Sequence, residues 1–115
     1  MSANPIRGKT LRWTFDDGPM AGKTFEHKFA KDGTVTWRSV GEEAGEAEDG
    51  KERTETKYEL ARINEDVYAV AYLGSSGYTL TTVLDVKAGT VVSFASNEKQ
   101  LVVQHGTFES AKRAA

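Results

Sequence analysis

Apolar and polar residues alternate with a period of two along most of this sequence. The first such segment places Leu11, Trp13 and Phe15 at every second position, and several later segments repeat the pattern. Because successive side chains of a β-strand point to opposite faces of the sheet, each segment predicts a strand with one buried face. No segment combines a sustained helical period with helix start and stop signals, so we expect an all-β fold.

Turn-forming residues divide the alternating segments into eight predicted strands. Asp32-Gly33 is the tightest turn signal, because aspartate and glycine tolerate the positive φ angles of short hairpins. The predicted strands cover about residues 11–15, 25–29, 35–37, 54–61, 67–73, 78–86, 90–95 and 101–108. In the fourth of these, alternation predicts Tyr58 and Leu60 on one face and Glu55 on the other.

The number of strands bears on how the sheet ends. Eight antiparallel strands with short connections leave two exposed edges unless the sheet closes on itself. Closure removes both edges, and we therefore predict an eight-stranded antiparallel up-and-down β-barrel. The interior of such a barrel is either filled by side chains or holds one small ligand. The sequence alone leaves these two alternatives open.

Composition fits a single domain over residues 1–115 and excludes several classes of function. The chain has 15 Lys and Arg against 17 Asp and Glu, which gives no concentrated positive field for nucleic acid or an anionic membrane. It has no cysteine, and so no disulfide or thiolate metal site. It lacks the apolar segment of a secretion signal or a membrane span, so we expect a cytoplasmic protein. Residues 41–53, rich in Gly, Glu and Ala, predict a mobile acidic loop.

Several residues carry side chains suited to a ligand pocket. A mostly apolar pocket with a few orienting polar groups is typical of small-molecule sites. The candidate ligand-binding residues are Trp13, Phe15, His27, Trp37, Tyr58, Tyr72, Tyr78 and His105. For each of them, ordinary packing in the core or at an interface is the alternative.

The sequence predicts no catalytic centre, metal site or bound cofactor. The two histidines, His27 and His105, have no carboxylate at a metal-ligand spacing within their strands. Residues 18–24 resemble a phosphate-binding loop, but the glycine spacing is one residue short and strand periodicity follows it. We therefore name no catalytic residue and expect neither a metal nor a cofactor.

The later strands are apolar in both phases. In segment 67–73, Tyr68, Val70 and Tyr72 alternate with residues that are themselves apolar. The outer face of a monomeric barrel is normally exposed to water and carries polar side chains. We therefore expect a second copy of the chain to cover the outer surface of this half, as a homodimer.

Three stretches of the sequence resemble MoaF-like proteins, a family named for a gene cluster of molybdenum-cofactor biosynthesis. They are residues 8–27, which open with Gly-Lys-Thr-Leu and close with Phe-Glu-His; residues 72–81, Tyr-Leu-Gly-Ser-Ser-Gly-Tyr-Thr-Leu-Thr; and residues 94–99 with 104–108, Phe-Ala-Ser-Asn-Glu-Lys and Gln-His-Gly-Thr-Phe. The resemblance implies a lipocalin-like (calycin) barrel, in agreement with the strand count. The named family member is similar to two such barrels in tandem, whereas this chain supplies one, which favours the homodimer.

A fainter similarity links the sequence to phenolic acid decarboxylases, which share this kind of barrel. Those enzymes use tyrosines on the first strand and a glutamate just before the turn that ends the fifth. This chain has Trp13 and Phe15 at the first positions and Gly74 at the other. These side chains offer no proton-transfer group there, so the catalytic role does not carry over.

The sequence therefore favours non-covalent binding of a small apolar or aromatic molecule. Two alternatives stay open. One is a small barrel enzyme that acts on an aromatic acid, and the other is a dimeric structural or interaction module whose barrel is filled by its own side chains.

Overall fold

The computed structural model describes residues 6–40, 53–55, 57–74 and 77–110. It contains β1 (Thr10–Phe15), β2 (Thr24–Phe29), β3 (Val35–Val40), β4 (Arg53–Glu55), β5 (Tyr58–Arg62), β6 (Val67–Leu73), β7 (Thr79–Asp85), β8 (Thr90–Ser96) and β9 (Leu101–Ser110). The described residues contain no helix, and hence none that could cross a membrane. The predicted all-β fold is confirmed. The acidic loop predicted at 41–53 lies outside the described residues, apart from its last residue, which begins β4.

The strands form one antiparallel sheet that rolls into a nearly closed barrel. Their order is β4-β3-β2-β1-β9-β8-β7-β6-β5, so the last strand pairs with the first. In that pair, Leu11 lies opposite Ser110 and Phe15 opposite Gly106. The ladders of the described strands leave β4 and β5 as the two edges. The predicted up-and-down barrel is thereby confirmed.

The predicted fourth strand is two strands, so nine strands replace the predicted eight. Strand β4 pairs with β3, whereas β5 pairs with β6. Between them the ladder is interrupted, and the Tyr58 backbone N–H donates to the Gly33 carbonyl at 2.9 Å. This break shifts the alternation, so that Glu55 and Tyr58 are both buried, at 3% and 2% exposure. The prediction that Glu55 faces away from Tyr58 is therefore wrong, because alternation holds only within an unbroken strand.

Apolar side chains fill one end of the barrel. Antiparallel connectivity brings the β2–β3 and β7–β8 turns to this end. The fully buried side chains here, which we call the floor, are Ile6, Phe29, Val35, Leu84 and Val91. Full burial of such a side chain contributes roughly 1.5–3 kcal/mol relative to exposure. The floor is therefore a main source of stability.

Close pairing of β1 with β9 depends on a glycine. Gly106 lies opposite Phe15. A Cβ on Gly106 would overlap the Thr14 carbonyl oxygen and lie 2.9 Å from the Phe15 Cα. Only glycine lets the two backbones approach this closely, so Gly106 helps to fix the register in which β9 pairs with β1.

The outer surface of β1–β3 carries a row of charges. Glu26 accepts from Arg12 and Arg38, each at 2.8 Å. Partial burial would raise the pKa of Glu26, but the hydrogen bonds and charges of the two arginines outweigh it and hold that pKa below its ordinary value. This side of the barrel is therefore polar and paired.

The outer surface of β6–β9 carries several exposed apolar side chains. Leu73, Phe94, Leu101 and Val103 are between 39% and 73% exposed. Phe94 and Val103 lie directly opposite each other in the β8–β9 ladder. This is the face for which the sequence predicts a homodimer, and the homodimer stays a prediction.

Candidate functional site

A cavity of about 490 Å³ lies inside the barrel, above the floor. Its lining includes the β1–β2 and β8–β9 turns, which lie at the end opposite the floor and which we call the mouth. The lining side chains are Trp13, Phe15, Pro19, Met20, Phe25, His27, Trp37, Tyr72, Tyr78, Leu80, Thr82, Ser93, Ala95, Gln100, Val102 and Gln104. Small-molecule sites typically have volumes of about 300–1,000 Å³, so one small ligand fits.

Stacked aromatic rings form one wall of the cavity. Trp13 and His27 stack with ring centroids 4.1 Å apart and an interplanar angle of 19°. The His27 ring is also within 22° of parallel to Trp37, at 6.3 Å, and Phe25 meets Trp37 edge-on at 6.1 Å. Period-two alternation places all four rings on the inner face of β1–β3. The wall therefore offers flat apolar surface to a planar molecule.

A hydrogen bond between His27 and Tyr72 crosses the interior. His27 Nε2 lies 2.9 Å from the Tyr72 hydroxyl oxygen and links β2 to β6. Burial lowers the pKa of His27 to about 3. Burial also raises the pKa of Tyr72, and the nearby Glu55 carboxylate adds to this shift. Both groups are therefore uncharged at neutral pH, and His27 Nδ1 is buried without a hydrogen-bond partner among the described residues.

A buried carboxylate fixes the second tryptophan of this wall. Trp37 Nε1 donates to Glu55 Oε2 at 3.0 Å. Glu55 itself is absent from the cavity lining. Its contribution is to hold the indole plane of Trp37, and it places a negative charge close to the interior.

Three buried polar residues cross the opposite wall in register. Thr82 pairs with Ser93 in the β7–β8 ladder, and Ser93 pairs with Gln104 in the β8–β9 ladder. The Thr82 and Ser93 hydroxyl oxygens are 2.6 Å apart. Gln104 Oε1 accepts from the Met20 backbone N–H at 2.9 Å. We call Thr82, Ser93 and Gln104 the polar row.

The β1–β2 turn is fastened to β9 at the mouth. The His105 backbone N–H donates to Asp17 Oδ1 at 2.7 Å, and His105 Nδ1 lies 3.0 Å from Asp17 Oδ2. The backbone N–H of His105 lowers the pKa of Asp17, and contact with the His105 ring adds to the shift. Gly18 packs on Gln104, since a Cβ at Gly18 would lie 2.6 Å from the Gln104 Cγ. These contacts hold Pro19 and Met20 at the edge of the cavity.

The structure brings most of the candidate residues together. Those that line the cavity are Trp13, Phe15, His27, Trp37, Tyr72 and Tyr78. Tyr58 lies by the floor, where its hydroxyl donates to the Ala30 carbonyl at 2.8 Å and its ring meets Phe29 edge-on. His105 is on the outer face of β9, with a side chain 57% exposed. Binding of a ligand by these residues stays a prediction.

The sequence interpretation missed the polar row. Val102 and Val103 are both apolar, so the start of β9 does not reveal which phase faces inward. Phe108, in phase with Gln104, is the signal that identifies the inner face, because it packs against the core. Had the inner face of β9 been assigned from Phe108, Gln104 would have been chosen as the candidate residue in place of His105.

Among the described residues, no Lys, Arg, Asp or Glu side chain lines the cavity. Within that same part of the chain no three His, Asp or Glu side chains come together as a metal-binding group. The site is thus an apolar, aromatic chamber with a few uncharged hydrogen-bonding groups.

Fold and cavity together define a lipocalin-like antiparallel β-barrel with an internal chamber of small-molecule size. The family model described as the MoaF N-terminal domain matches residues 2–100. The chain belongs to this MoaF family, and the resemblance found in the sequence is confirmed.

Among solved structures, the chain is similar to the crystal structure of a "putative beta-lactamase" from Burkholderia vietnamiensis. The two share 18% sequence identity and superpose with a TM-score of 0.74, over 96% of this chain and 100% of that one. At this identity the likeness establishes the fold alone. No curated protein matches the chain.

Proposed function

We propose that this protein binds a small, flat, largely apolar molecule non-covalently inside the barrel. The observation that carries the proposal is the cavity of about 490 Å³ walled by Trp13, Phe25, His27 and Trp37. A planar ligand laid on these rings would remove apolar surface from water, at roughly 25 cal/mol per Å². The predicted aromatic or apolar ligand suits this wall.

The size of the cavity argues against a module whose barrel is merely filled by its own side chains. Protein interiors are close-packed, and unfilled apolar space costs stability. A chain of this length with only a structural role would gain by filling the space with larger side chains. Small lining residues such as Ala95 and Ser93 keep it open instead.

The state of the polar groups favours binding over catalysis. His27 is bonded to Tyr72, and Thr82 to Ser93, so these groups already have partners within the wall. A general base works best with a pKa near the working pH. Burial keeps the pKa of His27 far below neutrality, at about 3.

Both tryptophans of the chain line the cavity, which gives a direct binding assay. We expect phenylnaphthylamine, a neutral apolar dye, to bind with one-to-one stoichiometry and to accept energy from Trp13 and Trp37. Ala95→Phe, which fills the cavity, is expected to weaken this binding at least about tenfold.

The matched control is Ala61→Phe, which adds the same ring at an exposed position of β5 and is expected to leave dye binding unchanged. A dye that fails to bind the folded wild-type protein, or that binds Ala95→Phe as well as the wild type, would refute the proposed function. Native mass spectrometry of freshly purified protein provides an independent search for a bound ligand.

A further inference from the structure

We infer that the ligand of this cavity is uncharged and carries a hydrogen-bond acceptor, such as a ketone or amide carbonyl, that meets the amide of Gln104. This inference rests on the proposed function and specifies the chemistry of the ligand. It follows from the polar row and from the charges around the cavity.

The Met20 contact determines which end of the Gln104 amide is free. Because the Met20 backbone N–H donates to the side chain, the atom it meets is the carbonyl oxygen Oε1, and the other end is the amino group Nε2. Nε2 donates to no acceptor among the described residues. Gln104 is only 5% exposed and lines the cavity. Nε2 is not among the fully buried atoms that lack a partner, so it is accessible from the cavity, where it can donate to an acceptor on a ligand.

The neighbouring hydroxyl pair adds a second donor. In the Thr82–Ser93 contact, one hydroxyl donates to the other, which leaves the second hydroxyl hydrogen available. This pair is adjacent to Gln104 in the register of β8 and β9. The polar row thus presents surplus donors on one wall, facing a chamber whose other wall is aromatic.

The electrostatics of the interior disfavour an anionic ligand. No lysine or arginine of the described residues lines the cavity, and the buried His27 is neutral. Next to Trp37, the Glu55 carboxylate and the Arg53 guanidinium carry opposite charges, and neither residue lines the cavity. A carboxylate in this chamber would be desolvated without a counter-charge, which is expensive. A carbonyl satisfies the same donors without this cost.

Three probes with the same ring system test the inference by displacement of phenylnaphthylamine: naphthyl methyl ketone, isopropylnaphthalene and naphthoate. The ketone has an acceptor and no charge, the hydrocarbon has neither, and the carboxylate has both. We expect naphthoate to bind at least about tenfold more weakly than the ketone. Gln104→Met, which keeps the length of the side chain, is expected to weaken the ketone about fivefold to tenfold and the hydrocarbon less than about twofold.

Asp17→Ala is the matched control, because it also loosens the β1–β2 turn but leaves the Gln104 amide in place. It is expected to leave the ratio of ketone to hydrocarbon affinity unchanged. The inference is overturned if naphthoate binds as tightly as the ketone, or if Gln104→Met and Asp17→Ala change that ratio equally. Both results leave dye binding, and so the proposed function, intact. If neither the dye nor any probe binds, the proposed function fails and the inference falls with it.

Discussion

His27 Nε2 and the Tyr72 hydroxyl meet 2.9 Å apart inside the barrel, on strands that are not neighbours in the sheet. The two residues are 5% and 7% exposed. A hydrogen bond between buried groups adds little net stability, but removal of one partner leaves the other unpaired at a high cost. This asymmetry makes the pair a sensitive test of the interior.

Tyr72→Phe is expected to lower the free energy of unfolding by about 1–3 kcal/mol, because it removes the hydroxyl that bonds to the buried His27 ring. The double variant His27→Phe/Tyr72→Phe removes both partners and is expected to recover part of this loss. Urea unfolding measures both. Tyr78→Phe is the control, since its hydroxyl bonds to Gln100 in an exposed contact, and its expected change is within about 0.5 kcal/mol. Equal losses for Tyr72→Phe and Tyr78→Phe would contradict the buried pair.

The lowered pKa of His27 predicts a loss of stability in mild acid. In the unfolded chain His27 gains a proton near pH 6.5, whereas in the folded chain it does so only near about 3. Between these values the unfolded state binds more protons, so the free energy of unfolding falls as the pH drops below about 6.5. The contribution of His27 is about 1.4 kcal/mol per pH unit.

Urea unfolding between about pH 6.5 and 5 isolates this effect, because most carboxylates titrate below that range. Tyr72, which bonds to His27, adds nothing to the pH dependence in this range, because its raised pKa keeps the hydroxyl protonated. We expect His27→Phe/Tyr72→Phe to flatten the slope and Tyr78→Phe, which leaves the His27–Tyr72 pair in place, to preserve it. An unchanged slope in the double variant would show that His27 is not the cause.

Gly106→Ala is expected to destabilise the protein by about 3 kcal/mol or more, because the added methyl group overlaps the backbone of β1. Gly22→Ala is the matched comparison. Gly22 has a φ of +84° but nothing within 4 Å of its added Cβ, so only the backbone conformation is penalised, at about 1–2 kcal/mol. Thermal unfolding of the two variants measures the difference. A milder effect at Gly106 than at Gly22 would argue against the tight β1–β9 contact.

The outer face of β6–β9 can be tested for the predicted homodimer. We expect sedimentation at tens of micromolar to show a dimer, and Phe94→Lys with Leu101→Lys to convert it to a monomer by placing charge on the apolar surface. Ile63→Lys is the control, because Ile63 is an exposed apolar residue, at 58%, in the turn between β5 and β6 and outside the strands that form this face. A wild-type monomer at these concentrations would remove the prediction.

The sequence predicted the inner face of the barrel well and the depth along its axis poorly. Alternation identified Trp13 and His27 as inward-facing because a period of two is a property of each strand. The same reasoning placed Tyr58 inside, correctly, yet Tyr58 lies by the floor and not in the cavity. The position of a residue along the barrel axis depends on how far each strand is shifted against its neighbours. The alternation within a single strand does not determine that shift.

Glu55 shows a second limit of such reasoning. Its burial follows from the break between β4 and β5, and this break has no proline or glycine to announce it. The break is set by pairing with different partners, β3 on one side and β6 on the other, together with the Tyr58 contact to Gly33. These are long-range interactions, which local patterns do not encode.

The filled floor beneath the hollow half means that stability and cavity shape depend on different residues. Folding draws on Phe29, Val35 and Leu84 at one end, while the chamber at the other end is shaped by residues such as Leu80 and Ala95. Exchanges near the opening therefore change the shape of the chamber without removing the side chains that hold the barrel together.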